Sequence, residues 1–396
     1  MSDPGQNDDP GLDEGVWDLV VVGAGPAGST AALAALRERP GLRVLLLDRE
    51  SFPRDKSCGD GIAPHVGEVL HDLGAADVLD GWTPLEHLEL SRGDRRVAGR
   101  MARPVWVIPR RVLDARLVEH AVAAGATLVR HRVRTVRRTG STYELDGTIR
   151  TRVVVGADGA HSAVRDAVGA GRAGRRALAI RGYAPTLPER QGRQVIRYGE
   201  RRQPAYAWAF DRGDGWSNVG YGELVGGSRD ATPPTRQVLL EQLETLLPGS
   251  VPDGRNWRAH HLPLSGWRSG GVQPAGAVLL VGDAAGLVNP MTGEGIYYAV
   301  ATGRLAGRAA AQALADGAPA SAGARHRQAT GRLLDRHLHH TWLAGRLSRS
   351  PAVVGAGIVA AGRDHRVFDT LVELGLGDGR ITPRLAAGLA AGLVRT

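Results

Sequence analysis

Cysteine and lysine are nearly missing from this sequence, and aromatic residues are few. The single cysteine, Cys58, excludes an internal disulfide framework and a cysteine metal cluster. Lys56 is the only lysine, so 49 of the 50 basic residues are arginine. Phe and Met occur three times each, a pattern that reads as drift of base composition in the coding DNA. No apolar run approaches the roughly 18 residues that a membrane span needs. The longest mild stretches, Ala352–Ala361 and Leu385–Val394, are short and rich in glycine and alanine. Met1–Gly15 is acidic and has neither the basic nor the apolar region of a signal peptide, so residues 1–14 read as a disordered tail. The net charge of +9 raises the question of nucleic acid. The arginines, however, alternate with Asp and Glu along the whole chain and form no basic block, which argues against it. With 396 residues, 42% of them hydrophobic, the chain can bury a large core, as one domain with insertions or as two domains. A cytoplasmic protein is expected.

What is present begins with Trp17–Val22, an apolar run bounded by glycine that predicts a buried parallel strand. It runs into Gly23-Ala24-Gly25-Pro26-Ala27-Gly28, then an Ala/Leu-rich helix over Ser29–Arg39, then a second strand, Arg43–Leu47, ending in Asp48 and Arg49. Gly23 permits the tight turn, Gly25 lets backbone approach a pyrophosphate, and Gly28 lets helix and strand pack closely. The helix N-terminus offers N–H groups and a positive dipole end to phosphates, and Asp48 can accept hydrogen bonds from a ribose diol. Two further glycine clusters lack this context. Gly169–Gly174 follows a polar stretch, and Gly355-Ala356-Gly357 has no acid-ended strand behind it, so both read as linkers or helix ends. One dinucleotide site is expected, with no separate nicotinamide domain.

Two later segments repeat the strand–turn form. Val153–Gly159 carries Asp158 in an Asp-Gly turn, and Val278–Gly286 carries Gly282-Asp283, followed by Asn289-Pro290-Met291-Thr292-Gly293-Glu294-Gly295-Ile296 and an Ala-rich helix to Leu314. In this order the three fingerprints resemble the flavoprotein reductases and monooxygenases built like p-hydroxybenzoate hydroxylase, over roughly residues 16 to 320. The resemblance implies FAD. Asp283 would bond the ribityl hydroxyls with Gly282 giving clearance. Gly293 and Gly295 would open a helix whose N–H groups face the isoalloxazine and stabilise reduced flavin. Arg111 matches an arginine that begins a helix along FAD, with a surface helix arginine as the plain alternative. Asp158 would brace the fold and the flavin.

Pro53-Arg54-Asp55-Lys56-Ser57-Cys58-Gly59-Asp60-Gly61-Ile62-Ala63-Pro64 holds the only lysine and the only cysteine two residues apart. This segment is similar to one of the geranylgeranyl reductase family that passes close to the flavin, and Pro290–Ala299 resembles that family too. Tyr206, Trp208 and Phe210 alternate with alanines at the period of a strand with one aromatic face. The family has a proline where this chain has Asp211. The wall suits an apolar, polyene-like substrate, and ordinary sheet core is the alternative. The resemblance implies reduction of isolated C=C bonds in a prenyl chain, with hydride from the reduced flavin N5 and a proton to the other carbon. Cys58 and Tyr206 are the candidate acids, each equally able simply to line a pocket. The electron source would be NAD(P)H or a ferredoxin-type protein. The competing class is an FAD monooxygenase acting on an aromatic or polyketide compound. A halogenase is more distant, since its Trp-x-Trp-x-Ile-Pro motif is absent.

The fold class expected is α/β, a discontinuous FAD-binding Rossmann-like domain with an inserted antiparallel-sheet substrate domain and a helical C-terminus. The FAD domain would use residues 15–80, 105–170 and 274–320, the substrate domain 81–104 and 171–273, and the helical region 321–396. Leu385–Thr396 could cap the pocket or lie against lipid, the route to a peripheral contact with the inner membrane face. No metal site is expected, because His337-Leu338-His339-His340 has no carboxylate or cysteine to complete one and reads as a solvated helix.

Overall fold

A computed structural model of the chain describes residues 15–171, 175–225, 232–268 and 273–394, so the expected tail and the end of the Gly169–Gly174 cluster lie outside the described residues. From the N-terminus come β1 (Val16–Val22), α1 (Pro26–Glu38), β2 (Val44–Asp48), β3 (Gly61–Ile62), α2 (Pro64–Asp72), β4 (Leu85–Arg92) and β5 (Arg95–Val107). Then follow α3 (Arg110–Ala123), β6 (Thr127–Arg130), β7 (Val136–Thr139), β8 (Thr142–Leu145), β9 (Ile149–Gly156) and α4 (Ala163–Ala167). The middle of the chain is β10 (Arg175–Pro185), β11 (Arg193–Tyr198), β12 (Tyr206–Asp211), β13 (Trp216–Val225), α5 (Arg236–Leu246) and β14 (Arg255–Leu264). It closes with β15 (Val278–Leu280), α6 (Ile296–Ala315), α7 (Ala322–Leu347), α8 (Pro351–Arg363), α9 (His365–Leu376) and α10 (Pro383–Leu393).

The apolar runs at β1, β2, β9 and β15 are buried on both faces, as strands under helices on either side must be. They pair in parallel, β6-β2-β1-β9 with β15 beyond β9, and the hairpin β7–β8 extends the sheet antiparallel. A second, eight-stranded sheet runs β14-β10-β13-β12-β11-β4-β5-β3. It is antiparallel except where β11 lies parallel to β4, the junction that splices residues 85–107 onto the sheet of residues 175–264. α1 and α6 cross at backbone distance. A Cβ on Gly303 would lie 2.2 Å from Ala27 O, and one on Gly307 2.2 Å from Ala31 O.

Two local readings are corrected. Gly355-Ala356-Gly357 lies inside α8, because the flanking Val353–Val354 and Ile358–Ala361 give the segment a buried helical face. His337 is buried on α7: its Nε2 meets Tyr298 Oη at 2.6 Å and its Nδ1 meets Gly379 O at 2.6 Å, so it ties helices together instead of facing solvent. Among the described residues no helix is long and apolar enough to cross a membrane.

Candidate functional site

The carboxyl ends of β1, β2 and β9 open onto a cavity of about 1210 Å³ that runs between the two sheets to the C-terminal helices. At its nucleotide end the backbone turns at Gly23 (φ +99°), where a Cβ would sit 2.4 Å from Ala157 O. Gly25 is the N-cap of α1 and no side chain caps it, which leaves the first N–H groups of the helix for a ligand. Pro26 at the first helical position loses no hydrogen bond there. Gly28 faces the Gly23 carbonyl, not the cavity; its Cβ would lie 1.7 Å from Gly23 O. Asp48 receives Ala24 N–H on Oδ2 at 2.9 Å and Glu50 N–H on Oδ1 at 3.0 Å, so the loop fixes its carboxylate at the rim.

Two arginines border Gly25, Arg54 at 3.5 Å and Arg110 at 3.6 Å from where its Cβ would be. Both bond Asp114, Arg54 Nη1 at 2.9 Å and Arg110 Nε at 2.6 Å. Burial alone would lower the pKa of Arg110, but the Asp114 carboxylate overrides this and holds it above the usual range. A bare cradle of helix N–H groups, glycine backbone and two oriented guanidinium groups fits a pyrophosphate, and the ordered Asp48 fits a ribose. Arg111, expected beside the cofactor, points to solvent: it sits one residue, hence about 100°, around α3 from Arg110. Arg49 lines the opening.

The Lys56–Gly59 segment crosses the middle of the cavity, and the aromatic strand lies against it. A Cβ on Gly59 would meet Phe210 at 3.6 Å and Trp208 Nε1 at 3.7 Å. Lys56 Nζ lies 3.9 Å from Asp283 Oδ2, with its pKa lowered first by burial. Burial pushes the Cys58 thiol up to about 11, which keeps it protonated and unreactive as a nucleophile at neutral pH. Tyr206 donates its hydroxyl proton to Thr292 O, and burial raises its pKa above the usual range. Trp208 Nε1 donates to Asn218 Oδ1 at 2.8 Å, and Asn218 Nδ2 donates to Cys58 O and to Asp60 Oδ2, each at 2.8 Å. Tyr183 Oη donates to the same Asp60 oxygen at 2.6 Å, while Asp60 Oδ1 is buried with no hydrogen-bond partner among the described residues. Burial lifts Asp60 to about 6. Asp211, standing where a proline was expected, accepts Gly192 N–H at 2.6 Å and Gly213 N–H at 3.0 Å and so ties off the β12–β13 turn.

Pro290, Gly293, Gly295 and Ile296 border the same space at the start of α6. Gly295, the N-cap, has no side-chain cap of its own, and Glu294 Oε1 accepts Tyr297 N–H at 2.8 Å. Burial raises Glu294 to about 7, above Asp60 across the cavity. Gly282 packs between Ala27 and Ala299, outside the cavity. The Asp158 carboxylate accepts Ala163 N–H at 2.7 Å and Val164 N–H at 3.2 Å, capping α4 from the cavity wall. Sequence reading missed Arg54, Arg110, Asp60, Glu294 and His260. His260 is held down at about 4, first by burial and then by the charge of Lys56. Glu294 and Asp60 lay within segments already singled out, and an ionisable residue between required glycines was the available signal.

Beyond Phe210 the cavity turns apolar. Leu88, Leu90 and Ile196 form one wall, and Val354, Ile358 and Leu389 of the C-terminal helices form the other. α10 caps the arm, with Leu385 buried and lining it. The cap is fastened by charge. His65 Nε2 of α2 lies 3.2 Å from Glu373 Oε2 and 3.6 Å from Asp378 Oδ1, and Arg103 Nη2 donates to Glu373 at 2.9 Å. Burial would lower His65, but the hydrogen bonds its ring donates to Asp378 and Glu373 outweigh it and raise its pKa to about 9. Its folded pKa exceeds the usual 6.5, so the stabilisation is complete below pH 6.5 and is lost as pH rises through about 9. The protection of amides in α9 and α10, taken relative to their intrinsic exchange rates, is therefore expected to fall across that window, and His65→Gln to abolish this fall; an unchanged protection profile in the variant would rule it out.

Residues 17–213 match the family described as FAD binding domain. The chain is 35% identical over 317 residues to the menaquinone reductase of Mycolicibacterium smegmatis, covering 73% of this chain and 75% of that one. It is 34% identical to the geranylgeranyl diphosphate reductase of Rhodobacter capsulatus, covering 77% of each. A geranylgeranyl bacteriochlorophyll reductase-like protein of Thermoplasma acidophilum superposes with a TM-score of 0.77 at 18% identity, over 96% of this chain and 98% of that one. Cavity, cradle and likeness together define an FAD-dependent flavoprotein oxidoreductase. The chain belongs to the geranylgeranyl reductase family.

Proposed function

We propose that this enzyme reduces isolated C=C bonds in a prenyl chain. The observation that carries the reading is a single cavity joining a pyrophosphate cradle to an apolar arm, with Cys58-Gly59 and the Tyr206–Phe210 wall at the junction. Gly25, Arg54, Arg110 and Asp48 would hold the nucleotide moiety, Lys56 and Asp283 the middle of the cofactor, and the N–H groups after Gly293 its ring edge. When bound and reduced, FAD would supply hydride to one alkene carbon. The chain's own groups must supply a proton to the other carbon. Tyr206 already donates to Thr292 O, and the Cys58 thiol at about 11 gives up a proton reluctantly. Glu294, at about 7, carries a proton for part of the time at neutral pH, which suits a general acid. Trp208, Phe210 and the apolar arm exclude water and align the chain.

The test is anaerobic turnover with dithionite as reductant and a panel of prenyl lipids and aromatic polyketides, read by mass spectrometry. Products heavier by pairs of hydrogens are expected. Products that gain oxygen, and only under air, would overturn the reading and leave a monooxygenase. Chain length offers a second check. A Cβ on Gly357 of α8 would point at Leu389 with ordinary contact at 3.6 Å, and Gly357 lines the arm. Gly357→Leu therefore fills the arm without straining the helix, and Leu favours helix over Gly by up to about 1 kcal/mol. Turnover of a geranylgeranyl substrate is expected to fall about a hundred-fold from misplacement of the reacting bond, with a geranyl substrate spared. Equal loss on both chains would place the substrate elsewhere.

A further inference from the structure

The last turns of α7 carry a surface that neither the cofactor cradle nor the apolar arm uses. His339, Trp342 and Arg346 share one helical face. Trp267, which follows β14, stacks on His339 with ring centroids 4.3 Å apart and meets Trp342 edge-on at 4.8 Å. Trp342 also lies under two guanidinium groups, Arg346 at 5.0 Å and Arg175 at 5.9 Å. Arg349 joins them, and Arg175 is held below the usual arginine range by burial and then by the charges of Arg349 and Arg346. No ion pair joins Arg175, Arg346 or Arg349 to a carboxylate among the described residues. This separates the cluster from most of the buried or half-buried arginines described above, which have acidic partners. The helix dipole favours Arg346 and Arg349 at the end of α7, but Arg175 belongs to β10 and gains nothing from it.

The position of the cluster gives it a use. Leu347 lines the cavity and is still 40% exposed, so it stands at the mouth; Leu343, one turn earlier on α7, is 41% exposed, and Trp267 is 45% exposed. Leucines at a mouth, two tryptophans beside them and unpaired arginines around the rim form the sequence of chemistries met on passing from hydrocarbon through the interface to lipid phosphates. We propose that this rim docks on the phosphate layer of an anionic bilayer and sets the mouth of the apolar arm against the hydrocarbon. A prenyl chain would then enter without crossing water. This deepens the prenyl-reductase reading and rests on it for what the arm holds, while the docking itself is measurable without turnover.

The experiment is co-sedimentation of the FAD-loaded enzyme with vesicles of pure phosphatidylcholine, or of phosphatidylcholine with about a third phosphatidylglycerol. Binding to the anionic vesicles alone is expected, and to weaken with salt. Each arginine near an anionic surface is worth about five-fold in partitioning, so Arg346→Ala with Arg349→Ala lowers it about 30-fold. The exposed pair Arg39→Ala with Arg137→Ala removes the same charge on the nucleotide-binding half and leaves binding unchanged. Retained FAD in every variant shows that the fold persists. No sedimentation by the parent enzyme overturns the proposal, as does equal loss in the control pair. Quenching of tryptophan fluorescence by inorganic diphosphate without vesicle binding would do the same, since the rim would then serve a soluble anion. Vesicle binding with no prenyl reduction would instead overturn the functional reading and leave the docking surface standing.

Discussion

Glu294→Gln is expected to lower turnover about 10²- to 10⁴-fold, the span over which a positioned general acid commonly contributes, while FAD stays bound. Glutamine keeps the shape of the side chain, and its carbonyl oxygen still accepts the Tyr297 N–H that now reaches Glu294 Oε1 at 2.8 Å. What it lacks is an acidic proton. In the parent enzyme burial raises Glu294 from 4.5 to about 7, so the protonated fraction falls as pH rises through 7. The rate should follow the same limb downward, and the variant should lose that limb. A variant with full turnover and an unchanged pH profile would remove Glu294 from the reaction. Cys58→Ala is the companion experiment: full turnover there would leave the thiol as pocket lining.

The second large effect is at Gly28. A Cβ there would sit 1.7 Å from the Gly23 carbonyl oxygen and 3.1 Å from Ala157 Cβ, and nothing in that contact is a flexible side-chain end. Gly28→Val must push α1 off the loop that forms the cradle. Overpacking in a well-packed core costs about 1–3 kcal/mol or more, and here the displaced atoms are the binding site itself. Purified protein is therefore expected without flavin after gel filtration, with its unfolding midpoint lowered. Gly41→Ala is the comparison: it also has positive φ (+86°), but nothing lies within 4 Å, so its cost is backbone strain alone and flavin is retained. Retention of flavin by Gly28→Val at parent levels would disprove the close packing.

Both predictions bear on what a sequence can disclose. The backbone part of the cradle was legible because it is local: glycines, a helix start and an acid follow one another in the chain, and the physics that requires them acts over a few residues. The aromatic face of β12 was legible for the same reason, since alternation along one strand needs no partner. Arg110 was missed in favour of Arg111 because one step along a helix turns the side chain by about 100°, and only packing decides which step faces inward. The network from Trp208 through Asn218 to Asp60 joins residues far apart in the chain. The capping role of α10 depends on Leu385 and Leu389 meeting a cavity built mostly by residues far earlier. The burial of His337 is of the same kind, fixed by Tyr298 and the Gly379 carbonyl.

The crossing of α1 with α6 also governs the order in which the molecule can be assembled. The alanine face of α1 is covered by a helix synthesised most of a chain length later, and Gly303 and Gly307 must be in place before the two backbones can close. While the polypeptide is still emerging, the first strand–helix unit has no lid and its cradle no backing. Contacts so distant in sequence are slow to form, and they expose apolar surface until they do. A ribosome-bound fragment that stops short of α6 should stay open to proteases and chaperones, and cofactor capture should be a late event in the life of the nascent chain.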